Sequence, residues 1–595
     1  MAVNLENYDS VLHLLRDRAQ AWAKQPALRY KKLGIWETLT WSDYVEQITH
    51  CAAAIKDLNI PSGKGAAILS ENRPEWLVSD FASMSCSLMS NGLYTSSSPE
   101  QIDYQLTNSG SEVLFVEGGE LLEKIFALPA PRLSQLRKII IYDRDGLDDL
   151  DHPLCEFWDS FMDRGRTIAQ DAPQMFDQLL GDIDGSTIAM LIYTSGTTGN
   201  PKGAMISHSN VMAQLIEWQK DMPVDNRDRS ICFLPLCHVA ERMFSGMCPV
   251  GAGSVIHFAE SADTFAENLR EIRPTIMFAP PRVFEKLSAA IDLSMSEARR
   301  SSQWFYRLAK SWLSETPQNG LKAAIARRVL IRNILRILGF GDLRFCISGA
   351  APVSDHIMSW YQSHGIAIYE LFGMTETCGS LTRIDFGGAH KSCGKGLRRT
   401  EIKIASSGEL LARGPNIFQG YLNAPDKTGE ALDKDGWLHT GDQGEIDENG
   451  NLKITGRIKD IIITSGGKNV APALVESKLK ASPYIVDALL IGDGRKYITG
   501  LVMIDQDTTS RFARDNGIAF TDFPDLCRQK AIFDLVKSEV EAVNATVNQV
   551  ERVKGFRILD IELDAEDEEL TATMKLKRSV IEAKYKTLIE TMYNS

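Results

Sequence analysis

No CxxC pair occurs among the ten cysteines of this 595-residue chain, and its ten histidines form no cluster. A zinc centre or a disulfide framework is therefore not expected, and reduced thiols in a cytosolic setting are. No run of about 18 apolar residues is present, so no bilayer-spanning helix is expected. The opening MAVNLENYDS lacks a basic stretch followed by an apolar one, which argues against a secretory signal. Positive charge is in deficit: 65 Lys and Arg stand against 78 Asp and Glu, a net charge of −13. That balance excludes a general affinity for nucleic acid or anionic lipid and makes any basic site local. Internal repeats and low-complexity segments are missing. So is the GxxxxGK[ST] loop of P-loop NTPases.

What is present is an ordinary globular composition, 44% hydrophobic and 24% charged, in a chain long enough for two or more domains. The apolar periodicity predicts a helix over Val11 to Ala23, a short hairpin over Ala27 to Thr38 and a helix over Trp41 to Leu58. Ala66 to Leu69 and Val113 to Val116 read as buried strands with a helix, Pro74 to Cys86, between them. This alternation predicts doubly wound α/β layers. It recurs through Ser230 to Phe258 and Thr275 to Ala290, and ends with Leu343 to Gly349. Glu401 to Leu411 and Leu452 to Thr455 alternate like antiparallel strands of a β-rich subdomain. From Arg457 onward a smaller α+β unit is expected, so the division is 1–456 and 457–595.

One stretch breaks the rhythm. Asp292 to Gly339 is long, helical and basic, and Arg328, Arg332 and Arg336 fall four apart on one face. A basic amphipathic helix over 321–338 can rest in a membrane interface, or it can be a lid helix with a solvated arginine edge.

The chemistry concentrates in a few motifs. Tyr193 to Gly203, YTSGTTGNPKG, follows a buried strand. Its glycines Gly196 and Gly199 let the backbone turn tightly, so that consecutive amides can surround an anion. Thr194, Ser195, Thr197 and Thr198 add hydroxyls and Lys202 adds a cation. The stretch reads as a phosphate cradle. Gly349, Ala350 and Ala351 end a strand with small residues, where a flat ring can approach the backbone. The segment Tyr369 to Thr377, YELFGMTET, offers the Phe372 ring, the Thr375 hydroxyl and the Glu376 carboxylate, a hard ligand suited to Mg²⁺. Asp442 in HTGD can accept both ribose hydroxyls, with Arg457 in GRIKD as a nearby donor. The plainer reading of Asp442 is a turn aspartate.

The order of these motifs, closed by a lysine near the C-terminus, resembles the adenylate-forming superfamily of acyl-CoA synthetases, luciferases and peptide-synthetase adenylation domains. LPLCHVAERM (234–243), PPRVFEK (280–286), IITSGGKNVAP (462–472) and GDGRKYITGLV (492–502) look like its long-chain and bubblegum-type fatty acyl-CoA synthetases. The resemblance implies an N-terminal AMP-binding domain over 1–456 and a mobile C-terminal domain over 457–595. It implies a fatty acid, ATP and CoA as substrates with Mg²⁺ as cofactor. The acid becomes an acyl-adenylate, pyrophosphate leaves, and the CoA thiol displaces AMP. The cysteine usage points to a cytoplasmic location. A fatty acid that partitions into bilayers makes the basic helix 321–338 the candidate surface for contact at the inner face of a membrane, against the alternative of a lid helix.

By the same resemblance Thr194 to Thr198 and Lys202 hold the β- and γ-phosphates, Thr375 meets the α-phosphate and Glu376 binds Mg²⁺. Gly349 to Ala351 and Phe372 enclose adenine, with Glu370 and Gly373 in the nucleotide-binding set, and Asp442 and Arg457 hold the ribose. His238 stands where the family places a residue beside the acyl carboxylate; a satisfied core histidine is the alternative. Lys575, in LTATMKLKR, takes the place of the adenylation lysine, with Ala572 where proline is usual and Lys577 as the competing position. Lys459 aligns with the hinge between domains. The acyl tunnel is expected to be walled by 211–220, 233–248 and 275–284. Competing readings are an acyl-AMP ligase for aryl or medium-chain acids, transfer to a carrier-protein thiol, and a non-catalytic nucleotide- or acyl-CoA-binding scaffold.

Overall fold

The computed structural model describes residues 4–194, 200–261, 263–315, 332–384, 386, 392–561, 563, 569–570 and 576–594. The largest sheet has seven strands, in the order Cys155–Phe157, Lys138–Ile141, Val113–Val116, Gly65–Leu69, Met89–Leu93, Ile188–Thr194 and Lys202–Ser207. The first six run parallel, and the last pairs antiparallel with its neighbour. Strands such as Val113–Val116 and Gly65–Leu69 are buried at every position, as a sheet covered on both faces requires. The expected α/β layering is present.

A second sheet joins Arg229–Cys232, Val255–Phe258 and the hairpin Pro26–Lys32 with Ile35–Thr40. A third is wholly parallel: Ile276–Ala279, Phe345–Ser348 and Ile368–Glu370. Beyond it lies the expected β-rich unit, an antiparallel sheet of Glu401–Ile404, Glu409–Arg413, Leu438–Ile446 and Leu452–Arg457. Asp442 therefore sits within a nine-residue strand and not in a simple turn. Arg457 is the last residue of that sheet.

The helix His208–Asp221 opens with a capping box, Ser207 accepting from the Asn210 amide while the Asn210 side chain accepts from the Ser207 amide. Most of its length is buried, because it lies between the layers. The segment that follows Arg457 builds a core of its own around Ile485–Ile491, Ile498–Ile504 and Val553–Ile558, backed by Pro472–Lys480 and Lys530–Asn544. The third of those strands is parallel to the second and absent from the sequence reading. In the basic region the helices Arg300–Glu315 and Arg332–Ile337 are described, while Arg328 lies outside the described residues.

Candidate active site

The expected phosphate loop connects the two strands of a β-hairpin. Thr194 pairs with Lys202 and Tyr193 with Gly203 across it. A side chain at 203 would press on the Tyr193 ring, 3.1 Å away, so glycine lets that ring cross the hairpin. Ser195, Gly196, Thr197, Thr198 and Gly199 lie outside the described residues, as does Lys575, while Lys577 precedes the helix Arg578–Lys584.

Lys202 is held by a segment the sequence reading passed over. Residues 419–422 run beside the second hairpin strand: Met205 donates to the Gly420 carbonyl, Gln419 to that of Met205 and Leu422 to that of Gly203. Just upstream, the Phe418 amide donates to the Glu376 carbonyl at 2.9 Å. These bonds place Tyr421 between two charges. The Lys202 ammonium lies 4.3 Å from its ring centroid, and its hydroxyl donates to Glu376 Oε1 at 2.5 Å. Burial and the adjacent carboxylate push the Tyr421 hydroxyl's pKa well up, so it stays a donor. Burial pushes the Lys202 pKa down; Glu376 opposes this, and Lys459 and Lys427 add to it. Lys459, in the short helix Ile458–Asp460, is thus within electrostatic reach of Lys202.

Thr375 and Glu376 are both 7% exposed, in a single 3₁₀ turn that ends on Cys378 at φ 54°. Gly373 precedes them at a point where a Cβ would fall 1.9 Å from the Gly379 carbonyl oxygen, so no other residue fits the Gly373–Ser380 pairing. The Phe372 amide donates to the Thr382 hydroxyl at 3.0 Å, and its ring packs partly against the main core.

The small-residue stretch sits at the end of Phe345–Ser348, beside Glu370 in the parallel register. Gly349 is buried with Phe278 and the Leu371 carbonyl over its Cα, while Ala350 and Ala351 are exposed. Ala350 holds φ 70°, a left-handed conformation costly for a residue with a Cβ. The loop is tied down from below: the Val353 amide donates to Glu370 Oε1 at 2.6 Å. Burial pushes the Glu370 carboxyl up to about 7, against the pull of that amide. Glu370 therefore shapes the loop through its backbone. The Ser348 hydroxyl is buried and finds no partner among the described residues.

Asp442 and Arg457 face each other across two strands, Arg457 Nε lying 3.1 Å from Asp442 Oδ1. The Asp442 side chain is 5% exposed and that of Arg457 60%, so the carboxylate is fixed and its partner is free to swing. Glu409 shapes the HTGD stretch: its Oε1 accepts from the Gly441 amide and its Oε2 lies 3.0 Å from His439 Nδ1. Gly441 takes φ 71°, which its missing Cβ allows. His238 is the N-cap of the helical turn Val239–Glu241, its Nδ1 accepting from the Ala240 amide.

The expected residues among those described lie on or beside three sheets, in three local groups. Lys202, Tyr421 and Glu376 share one network, the 349–353 loop is fixed by Glu370, and Asp442 pairs with Arg457. The sequence reading missed Tyr421 and Glu409. The only signal for Tyr421 was an aromatic in GPNIFQGYL, with nothing in its spacing to tie it to Lys202.

Residues 15–422 match the model of the AMP-binding enzyme family, and 459–595 match that of the AMP-binding enzyme C-terminal domain. The chain is 31% identical to the long-chain-fatty-acid–CoA ligase ACSBG2 of Xenopus laevis, covering 98% of this chain and 84% of that one. It is equally similar, at 31%, to the long-chain-fatty-acid–CoA ligase FadD15 of Mycobacterium bovis, covering 95% and 94%. Among solved structures, the adenylation domain of a carboxylate reductase from Mycobacterium chelonae superposes with a TM-score of 0.73 at 21% identity, covering 98% and 91%. An anthranilate CoA ligase in complex with anthranoyl-AMP superposes with a TM-score of 0.72 at 18% identity, covering 99% and 100%. These likenesses show the fold of adenylate-forming enzymes, a large N-terminal domain followed by a smaller C-terminal one. On its matched length and its relatives, this chain belongs to the AMP-binding enzyme family.

Proposed function

We propose that this chain is an ATP-dependent long-chain fatty acid–CoA ligase that works through an acyl-adenylate. The observation that carries the reading is the joining of Lys202 and Glu376 through Tyr421, with a fixed carboxylate at Asp442 for a nucleoside. Relatives named for this activity, similar over almost the whole chain, support it.

A carboxylate does not react with a thiol at neutral pH, because its leaving group is poor. Attack of the acid oxygen on the α-phosphorus of ATP expels pyrophosphate and leaves an acyl–AMP anhydride. The CoA sulfur then takes the acyl group, its proton is released and AMP departs. Such chemistry depends on positioning and charge stabilisation. Thr194 to Thr198 and Lys202 hold the β- and γ-phosphates. Thr375 meets the α-phosphate, where charge builds as pyrophosphate leaves. Gly349 to Ala351 and Phe372 enclose adenine, the exposed Ala350 and Ala351 presenting backbone to it. Asp442 accepts the ribose hydroxyls and Arg457 adds a donor. His238 stands beside the acyl carboxylate, and Lys575 supplies the second cation of adenylation. The single buried carboxylate of Glu376 fits Mg²⁺, which takes one or two protein carboxylates and completes its shell with phosphates and water. When bound, the ion neutralises phosphate charge.

The working division is 1–456 and 457–595, with Lys459 as the hinge. Membrane contact comes from the basic region. On Arg300–Glu315 the rings of Trp304 and Phe305 are 58% and 48% exposed, and Arg336 and Ile337 are exposed further on. An aromatic and basic surface of this kind suits the inner face of a membrane, a cytoplasmic location and an acid that partitions into bilayers.

ATP–pyrophosphate exchange over acids of increasing chain length tests the reading. Acid-dependent exchange that rises toward long chains, with acyl-CoA formed when CoA is added, is expected. A preference for aryl or medium-chain acids, or transfer only to a carrier-protein thiol, would replace the substrate. No acid-dependent exchange would leave a binding scaffold.

A further inference from the structure

A cavity of about 830 Å³ has none of the residues assigned to nucleotide in its lining. Its size is within the range of about 300–1,000 Å³ that encloses small-molecule ligands. Trp22, Leu215, Trp218, Met222, Val224 and Cys248 give it an apolar wall. Four charged groups at its edge cancel in pairs: Arg344 grips both oxygens of Asp228 at 2.8 Å, and Arg227 is bidentate to Asp225.

A fifth charge does not cancel. Arg18 lines the cavity and is 3% exposed. Its Nε and Nη2 donate to the Val250 and Gly251 carbonyls at 3.1 and 2.5 Å, and its guanidinium lies 4.2 Å from the Trp22 ring centroid. Among the described residues no carboxylate forms an ion pair with it, and no acceptor meets its Nη1. A buried cation without an anion is costly, and an apolar wall around it selects what can supply the anion. The complement is a monoanionic amphiphile with its head on Arg18 and its tail along the tryptophans.

We infer that this cavity is a second binding site for the long-chain fatty acid, where the carboxylate rests on Arg18 before it reaches the adenylation centre. The inference rests on the fatty acid reading above. Leu215, Trp218, Cys248 and Thr275 of the lining belong to the three segments expected to wall the acyl tunnel. Trp218 also packs on the apolar cluster of Met222, Phe244 and Ile347, which Phe278 and Leu371 flank beside Gly349. Trp218 thus stands between the resting place and the centre. A carboxylate on Arg18 cannot be the one attacking ATP at the Lys202 and Glu376 network, so the two positions are distinct.

Trp22 and Trp218 supply the readout. The full-length protein is first saturated with a non-hydrolysable long-chain acyl-sulfamoyl adenosine, then titrated with cis-parinaric acid, following energy transfer from tryptophan. One further acid should bind per protein molecule, in preference to the matching alcohol. Arg18→Gln should weaken the acid by about tenfold or more and leave the alcohol unchanged, while Arg18→Lys should restore part of the preference. Val224→Trp, which narrows the cavity from its apolar wall and keeps Arg18, should weaken both. If no acid binds beside the analogue, the cavity is only the far end of the catalytic tunnel and the proposal falls. It also falls if Arg18→Gln binds acid as wild type does. Failure of the analogue itself to bind would instead strike the adenylation reading.

Discussion

Two aspartate–arginine pairs in this molecule use the same chemistry for opposite ends. Asp80 and Arg242 are both wholly buried, Nε to Oδ2 at 3.1 Å with a second contact from Nη2, and Arg242 lies 5.2 Å from the Trp76 ring centroid. Arg457 Nε lies 3.1 Å from Asp442 Oδ1, and the arginine is mostly in solvent. In the first pair each partner is needed to justify the burial of the other. In the second, the aspartate is held by backbone and strand pairing, so its partner can leave when something better arrives. Burial of the arginine separates a structural pair from one open to a ligand.

The largest effect should come from breaking the dry pair. Asp80→Ala strands a buried guanidinium and should cost about 3–5 kcal/mol, read as a lowered denaturant midpoint, whereas Asp80→Ala with Arg242→Met should recover most of it. An Asp80→Ala variant as stable as wild type would end the comparison. Asp442→Ala should do the reverse: stability changes by less than about 1 kcal/mol, while ATP–pyrophosphate exchange at subsaturating ATP drops about a hundredfold through lost ribose bonds. Lys459→Pro, two residues past Arg457, should leave exchange nearly intact and depress thioester formation by about tenfold, the size of a gating step. Equal loss of both half-reactions would exclude a hinge.

The smallest effect sharpens the contrast through pH. Burial pushes both Glu241 and Glu370 up to about 7 from an ordinary 4.5. Between those values the folded protein keeps a proton that the unfolded one releases, so each group's stabilisation is complete below about 4.5 and fades as pH rises to 7. Glu370→Gln and Glu241→Gln should each flatten the fall of Tm with pH across that window. Adding AMP should alter the Glu370 share, because that carboxyl holds the 349–353 loop, and leave the Glu241 share as it was.

Much of this was readable in advance because periodicity reports burial. The helices at 11–21 and 41–57 follow from helical spacing of apolar residues, and the strands at 65–69 and 113–116 from short unbroken apolar runs. The site was readable where one segment carries both the turn and the functional group, as at Glu376. It was unreadable where backbone bonds bring distant segments together. Nothing local in 418–422 tells that its amides meet Met205, Gly203 and Glu376, so Tyr421 stayed hidden. Taken alone, HTGD allowed a turn aspartate, because Gly441 and the irregular pairing opposite Glu409 imitate a turn inside a strand. The strand Val553–Ile558 was lost because its partner is parallel and some fifty residues earlier.

Tyr421 has a consequence for the unliganded enzyme. A lysine and a glutamate left side by side in a half-dry cleft would close on each other and quench both charges. The phenol ring lies against the one and gives its hydroxyl to the other, working as an insulating spacer that still satisfies each neighbour. Among the described residues Lys202 and Glu376 therefore keep their charges apart, bridged by the phenol and not by a direct ion pair.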